Sequence, residues 1–153
     1  MTNEIRDALS SYDTTSLHKE IDLIQNCISR MAQNSFLIKG WSITLIVITW
    51  AILGKESGSC LSLLLLIIPI LAFWGLDGYF LRLERMYRKM YEWLLKARIE
   101  EKNFTKPYDL NPSRFQTDVA SWLRVVFSRT LLSFYLTLVV IVIIGAGIMF
   151  CIS

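Results

Sequence analysis

One histidine and three cysteines in 153 residues leave little material for site chemistry. Cys27, Cys60 and Cys151 cluster nowhere, and His18 lies on a polar stretch where a solvated imidazole is the default. Metal-ligand spacing, a phosphate loop and a nucleophile with a nearby base are all missing from the pattern. The sequence therefore predicts neither an enzyme nor a bound cofactor. Proline is as scarce, at three residues. Pro107 and Pro112, with Asp109 and Asn111 between them, mark the one clear break in helical pattern, from Asn103 to Pro112. A cleavable signal peptide is not expected, because 34 mostly polar residues precede the first apolar block. Internal repeats and low-complexity tracts are absent as well.

What the chain does have is hydrophobicity in blocks. Apolar residues make up 54% of it and the mean hydropathy is +0.44. The apolar residues gather at about Phe36–Leu53, Leu61–Leu76 and Thr130–Ile152. A bilayer core about 30 Å thick needs roughly 20 helical residues, with a range of about 17–25. The third block satisfies this outright. The first includes Lys39 and the second must borrow Cys60 and the Asp77–Tyr79 boundary. Both are acceptable, since a lysine near a helix end snorkels and aromatic residues suit interfaces. Trp41, Trp74, Tyr79, Trp93 and Trp122 read as such anchors and as packing groups.

Basic residues then set the orientation. The segment Gly78–Arg129 holds eleven Lys and Arg, Met1–Asn34 holds three, and the Gly54–Ser59 turn holds Lys55 alone. The positive-inside rule puts the long segment and the N-terminus in the cytoplasm, with the short turn and the C-terminus outside. Three spans satisfy that parity. The Asn103-Phe-Thr glycosylation pattern falls on the cytoplasmic side and is discounted. Cys60 and Cys151 both map near the outer face. Free thiols are the simpler reading, because sequence cannot establish the Cα separation a disulfide requires. Met1–Asn34 carries three basic and five acidic residues, and Gly78–Arg129 eleven basic and six acidic. The basic excess is expected to face anionic lipid headgroups. Its spread along a helix, without a groove-sized patch, argues against nucleic acid as a partner.

Two stretches carry amphipathic pattern outside the blocks. Met1–Thr15 looks loosely ordered, and a helix is predicted from near Ser16 with Leu17, Ile21, Ile24, Ile28 and Met31 on one seam. The second apolar block runs without interruption into a charged helix reaching about Glu101. Its stripe comprises Tyr79, Leu83, Met86, Tyr87, Met90, Leu94 and Ala97. Two heptads are too short to hold alone, so seam and stripe each need a partner. Pairing them gives a cytoplasmic helical bundle; a second copy of the chain would serve as well. A short amphipathic piece with Phe115, Val119, Trp122, Leu123 and Val126 on one face is expected to lie along the inner membrane surface.

Ionisable residues in spans are costly and find partners. In a hairpin folded about Ser57, Lys39 and Asp77 fall at similar depth, which predicts an intramembrane ion pair; an ion pathway is the alternative. Ser42 and Thr49 share a face with Lys39, a pore lining in an oligomer or, more simply, a packing face. Ser133, Thr137 and Gly145-Ala146-Gly147 also read as packing surface. No span is polar enough for a wide aqueous pore, so any channel would be narrow or gated by dewetting.

Two segments resemble a known family. Residues 31–41, Met-Ala-Gln-Asn-Ser-Phe-Leu-Ile-Lys-Gly-Trp, enter the first span. Residues 73–91, Phe-Trp-Gly-Leu-Asp-Gly-Tyr-Phe-Leu-Arg-Leu-Glu-Arg-Met-Tyr-Arg-Lys-Met-Tyr, leave the second. Together they resemble the RipA family of octameric membrane proteins, small proteins of the bacterial inner membrane. They are also broadly similar to two-span effector modules of bacterial nucleotide-signalling defence systems, from which the third span departs. The first resemblance implies a homo-oligomer and the second an assembly that perturbs the membrane when triggered. Neither supplies catalytic residues.

The resulting expectation is an all-α integral membrane protein with three transmembrane helices. Its parts are a cytoplasmic N-terminal segment over 1–34, a transmembrane hairpin over 35–79, a cytoplasmic helix, linker and juxtamembrane helix over 80–129, and a third span over 130–153. The expected function is a homo-oligomeric, channel-like or membrane-perturbing effector in stress or defence. The alternative is a non-conducting scaffold that recruits a protein partner.

Overall fold

The computed structural model describes the backbone of residues 2–53, 60–100 and 108–152, and side chains within 14–52, 66–98 and 108–148. Every regular element among them is helical. Helix α1 runs Thr2–Leu53 and α2 runs Cys60–Leu95, widening into a π-helical turn at Lys96–Glu100. A 3₁₀ turn at Pro112–Phe115, the short α3 at Trp122–Val126 and α4 at Arg129–Ile152 follow. The Gly54–Ser59 turn, the Asn103 glycosylation pattern and the side chains of Cys60 and Cys151 lie outside the described residues.

Helix α1 is described from Thr2, so residues 2–15 do not form the loose segment that the Ser and Thr content of Met1–Thr15 predicts. Hydroxyl residues cost only a few tenths of a kcal/mol each in a helix interior. Propagation from a nucleated helix offsets such small penalties. Helix α2 continues through Pro69. Proline removes one backbone hydrogen bond, a loss that spanning helices accommodate by local adjustment of neighbouring groups.

Three helices are long and apolar enough to cross a membrane: Thr14–Ile52, Leu66–Arg98 and Arg129–Ile148. The chain divides into two compact units, one of Met1–Met31 with Leu83–Val119 and one of Ala32–Arg82 with Ala120–Ser153. All three apolar blocks belong to the second unit.

In the first unit, Ile24 on α1, Met90 and Leu94 on α2 and Phe115 form the core, flanked by Ile21, Ile28, Tyr87, Tyr91, Trp93 and Leu110. Met31, Met86 and Ala97 are buried too, and Leu17 and Leu83 are half-buried. Seam and stripe therefore cover one another inside a single chain. The stripe does not extend to Tyr79, which is 51% exposed and packs edge-on against Phe80.

The expected amphipathic piece from Phe115 to Val126 does not form. Asn111 caps a 3₁₀ turn by accepting from the Ser113 amide at 3.0 Å, and that turn directs Phe115 into the first unit's core. Trp122 and Leu123 are exposed, whereas Val126 is buried in the second unit.

The second unit packs α1, α2 and α4 around Ile46, Leu66, Ile70, Leu131, Tyr135, Leu138 and Val142. Its outer surface is inverted relative to a water-soluble protein. Of 22 exposed large hydrophobic side chains among the described residues, all but Leu23 and Tyr108 belong to it. Apolar surface on that scale matches a lipid environment, since soluble monomers rarely expose large contiguous apolar patches.

Candidate functional site: a polar junction of three spans

Residues 35, 39 and 42 fall at i, i+4 and i+7 on α1, which places all three on one helix face. Lys39 Nζ lies 2.6 Å from Asp77 Oδ2 and donates to Ser35 Oγ at 2.8 Å. Ser35 in turn donates to Asp77 Oδ1. From α4, Tyr135 completes the set: its hydroxyl lies 3.1 Å from Asp77 Oδ2 and 3.3 Å from the Phe73 carbonyl. Asp77 is fully buried, and both its oxygens are engaged. Lys39 keeps 28% of its side chain exposed and stands 5.9 Å from the Phe134 ring centroid, within cation–π range.

Aromatic packing holds this junction in place. Trp74 stacks on Tyr135 with centroids 5.8 Å apart and an interplanar angle of 13°. Its indole N–H donates to the Val126 carbonyl at 2.9 Å, and the Trp122 indole donates to the Gly75 carbonyl at 3.1 Å. A Cβ added at Gly78 would run into the Val126 side chain, so α3 can approach α2 only over a glycine.

The remaining hydroxyls of the spans are satisfied along their own helices. Ser42 is fully buried and donates to the Ile38 carbonyl at 2.8 Å; Thr49 donates to Leu45 at 2.8 Å. Ser42 thus packs inward and lines no open face of the single chain. Ser133 and Thr137 bond the Thr130 and Ser133 carbonyls. Gly145 has a different use, for the Trp50 indole occupies the space a Cβ would take there.

A second ionic cluster lies in the first unit. Arg98 donates from Nε to Glu20 Oε2 at 3.0 Å and from Nη2 to Oε1 at 3.1 Å, with side-chain exposures of 2% and 7%. This is the bidentate geometry that makes arginine–carboxylate pairs strong. Glu20 also accepts from the Tyr108 amide, and the Tyr108 hydroxyl meets Ser16 Oγ at 2.8 Å. Tyr108 has φ 60°, a left-handed conformation costing a non-glycine residue about 1–2 kcal/mol. Its bonds to Glu20 and Ser16 hold it there. Trp93 belongs to this unit as well, beneath the Arg114 guanidinium at 4.7 Å and beside Phe115; it is a packing group here.

Lys39 and Asp77 are thus brought together. Ser35 and Tyr135 join them without having stood out in the sequence. Ser35 could have been found from its i−4 position on the Lys39 face. Tyr135 carries no comparable signal, because its height against Asp77 depends on how α4 packs. Cys27 is buried, and no group of three or more His, Cys, Asp or Glu among the described residues could hold a metal ion. Comparison of the chain with protein-family models, curated proteins and solved structures finds no match.

Proposed function

We propose that the protein is a homo-oligomeric membrane protein of the bacterial inner membrane, acting as a channel-like or membrane-perturbing effector in stress or defence. The observation that carries the oligomer is the outward face of α1. Gly40, Thr44 and Ala51 share one face at 4-7 spacing, all exposed, and a Cβ at Gly40 would meet nothing within 4 Å. Small residues on a lipid-facing helix let a second backbone approach closely, which drives association where lipid is as apolar as the side chains. The resemblance of residues 31–41 and 73–91 to octameric membrane proteins and effector modules adds the functional setting. In this reading the N-terminus and the 80–129 segment are cytoplasmic and the C-terminus is periplasmic.

A second reading, a non-conducting scaffold for a protein partner, is favoured by one observation. The Lys39 and Asp77 charges pair with one another, and the span hydroxyls of Ser42, Thr49, Ser133 and Thr137 bond carbonyls of their own helices, so a polar path would have to form between copies. Proteoliposomes distinguish the two. The effector reading expects Gly40→Leu and Thr44→Leu to reduce oligomers to monomers in native mass spectra and to abolish ion flux in parallel. An assembled wild-type protein that never passes ions and co-purifies with another protein supports the scaffold instead. A wild type that stays monomeric in lipid sinks the oligomer.

A further inference from the structure

We propose that α3 and its flanking arginines form a docking surface for the phosphodiester headgroups of anionic lipids. The inference rests on membrane insertion alone and is independent of copy number. Three observations converge on it.

Depth comes first. Trp122 is bonded to the Gly75 carbonyl, Trp74 is bonded to the Val126 carbonyl, and Gly78 admits Val126. These contacts fasten α3 to the point where the apolar run of α2 gives way to charged residues. That transition marks the membrane–water boundary, where tryptophan is favoured.

The second observation is sidedness. Val125 and Val126 are buried against the unit, while Trp122, Leu123 and Phe127 are 41%, 59% and 61% exposed. At boundary depth such side chains enter the outer acyl region, leaving the neighbouring polar groups at headgroup level.

Charge is the third. Apart from Lys55 and Glu56, the charged residues in the sequence of the second unit are Lys39, Asp77, Arg82, Arg124 and Arg129. Lys39 and Asp77 neutralise one another. Arg82 is tied through Nε to the Ala120 carbonyl at 3.2 Å, which brings its charge to the start of the α3 segment. Arg124 and Arg129 are exposed, and neither has a hydrogen-bond or ion-pair partner among the described residues. Arg124 and Arg129 thus place two exposed guanidiniums beside the exposed apolar face of α3. A guanidinium forks onto two phosphate oxygens, and an exposed apolar face beside it selects a phosphate that carries acyl chains.

The test uses the full chain in nanodiscs of equal phosphatidylglycerol and phosphatidylcholine, with retained lipid counted by native mass spectrometry. Wild type is expected to retain phosphatidylglycerol preferentially. Arg124→Gln with Arg129→Gln should reduce that preference on the order of tenfold, given the strength of basic residues at an anionic surface. Arg124→Lys with Arg129→Lys should restore most of it, and millimolar inorganic phosphate should not displace the lipid. Equal retention of both lipids by wild type, or an unchanged preference in the double Gln variant, overturns the proposal. Displacement by inorganic phosphate overturns it too, by exposing a free-anion site. If the Gln variant fails to fold, shallow-brominated lipids provide the second measurement. They should quench wild-type tryptophan fluorescence, and Trp122→Phe should remove part of that quenching; quenching that Trp122→Phe leaves unchanged counts against the docking surface.

Discussion

Lys39 and Asp77 share one ion pair at 2.6 Å but not one environment, for Asp77 is fully enclosed while 28% of the Lys39 side chain is exposed. The two single deletions should therefore differ. Lys39→Met strands a carboxylate that has no route to water and should cost about 3–5 kcal/mol. Asp77→Asn leaves an ammonium that can snorkel outward, and should cost less, about 1–3 kcal/mol. The double variant should be more stable than Lys39→Met alone. Reversible unfolding in mixed micelles measures all three, and equal losses for the two single variants would show that exposure does not govern the pair.

Tyr135 contributes through its hydroxyl alone where Asp77 is concerned. Tyr135→Phe keeps the stack on Trp74 and removes the hydrogen bonds to Asp77 and Phe73. Hydrogen bonds between spanning helices average about 0.6 kcal/mol and reach about 1.7. A loss within that range is expected from the same unfolding measurement. In a Lys39→Met background the loss should grow, since Tyr135 then becomes a larger share of what stabilises the carboxylate.

The Glu20–Arg98 pair predicts a different signature, in the first unit. Glu20→Gln leaves a guanidinium only 2% exposed without its carboxylate and weakens the acceptor of the Tyr108 amide. The expected cost is about 3–5 kcal/mol. Hydrogen exchange should localise the effect, with the amide of Tyr108 exchanging faster than those of α4. Uniform acceleration through α4 as well would mean that the cluster supports more than its own unit.

These cases separate what sequence can reveal from what it cannot. The three apolar blocks and the Lys39–Asp77 pairing were legible because charge is rare in a span and a hairpin fixes relative depth. The seam at Ile24 and the stripe at Met90 and Leu94 were legible by helical period. Glu20 and Arg98 were not: they lie 78 residues apart and look like ordinary surface charges until packing encloses them. The amphipathic piece failed for a local reason. Its pattern assumed one continuous helix, and the Asn111 cap starts a 3₁₀ turn that sends Phe115 to another core. The extended start of α1 is hidden in the sequence because Ser10, Ser11, Thr14 and Thr15 signal caps when read alone, yet are tolerated within a helix already formed.

Gly145 makes the sharpest packing prediction. Placing a methyl group there puts it inside the volume of the Trp50 ring, so either the ring or α4 must move. Overpacking of this kind costs about 1–3 kcal/mol. Gly145→Ala should therefore destabilise the second unit. Trp50→Leu in the same chain should recover much of that loss by vacating the space. The Trp50 indole N–H is also buried without a partner among the described residues, so removing the indole relieves an unsatisfied donor. Trp50→Leu alone should accordingly cost less than a typical core tryptophan truncation of about 3–5 kcal/mol. Gly147→Ala is the control, because a Cβ there meets nothing within 4 Å. If Gly145→Ala and Gly147→Ala behave alike in lipid, α1 and α4 do not meet through Trp50 and Gly145.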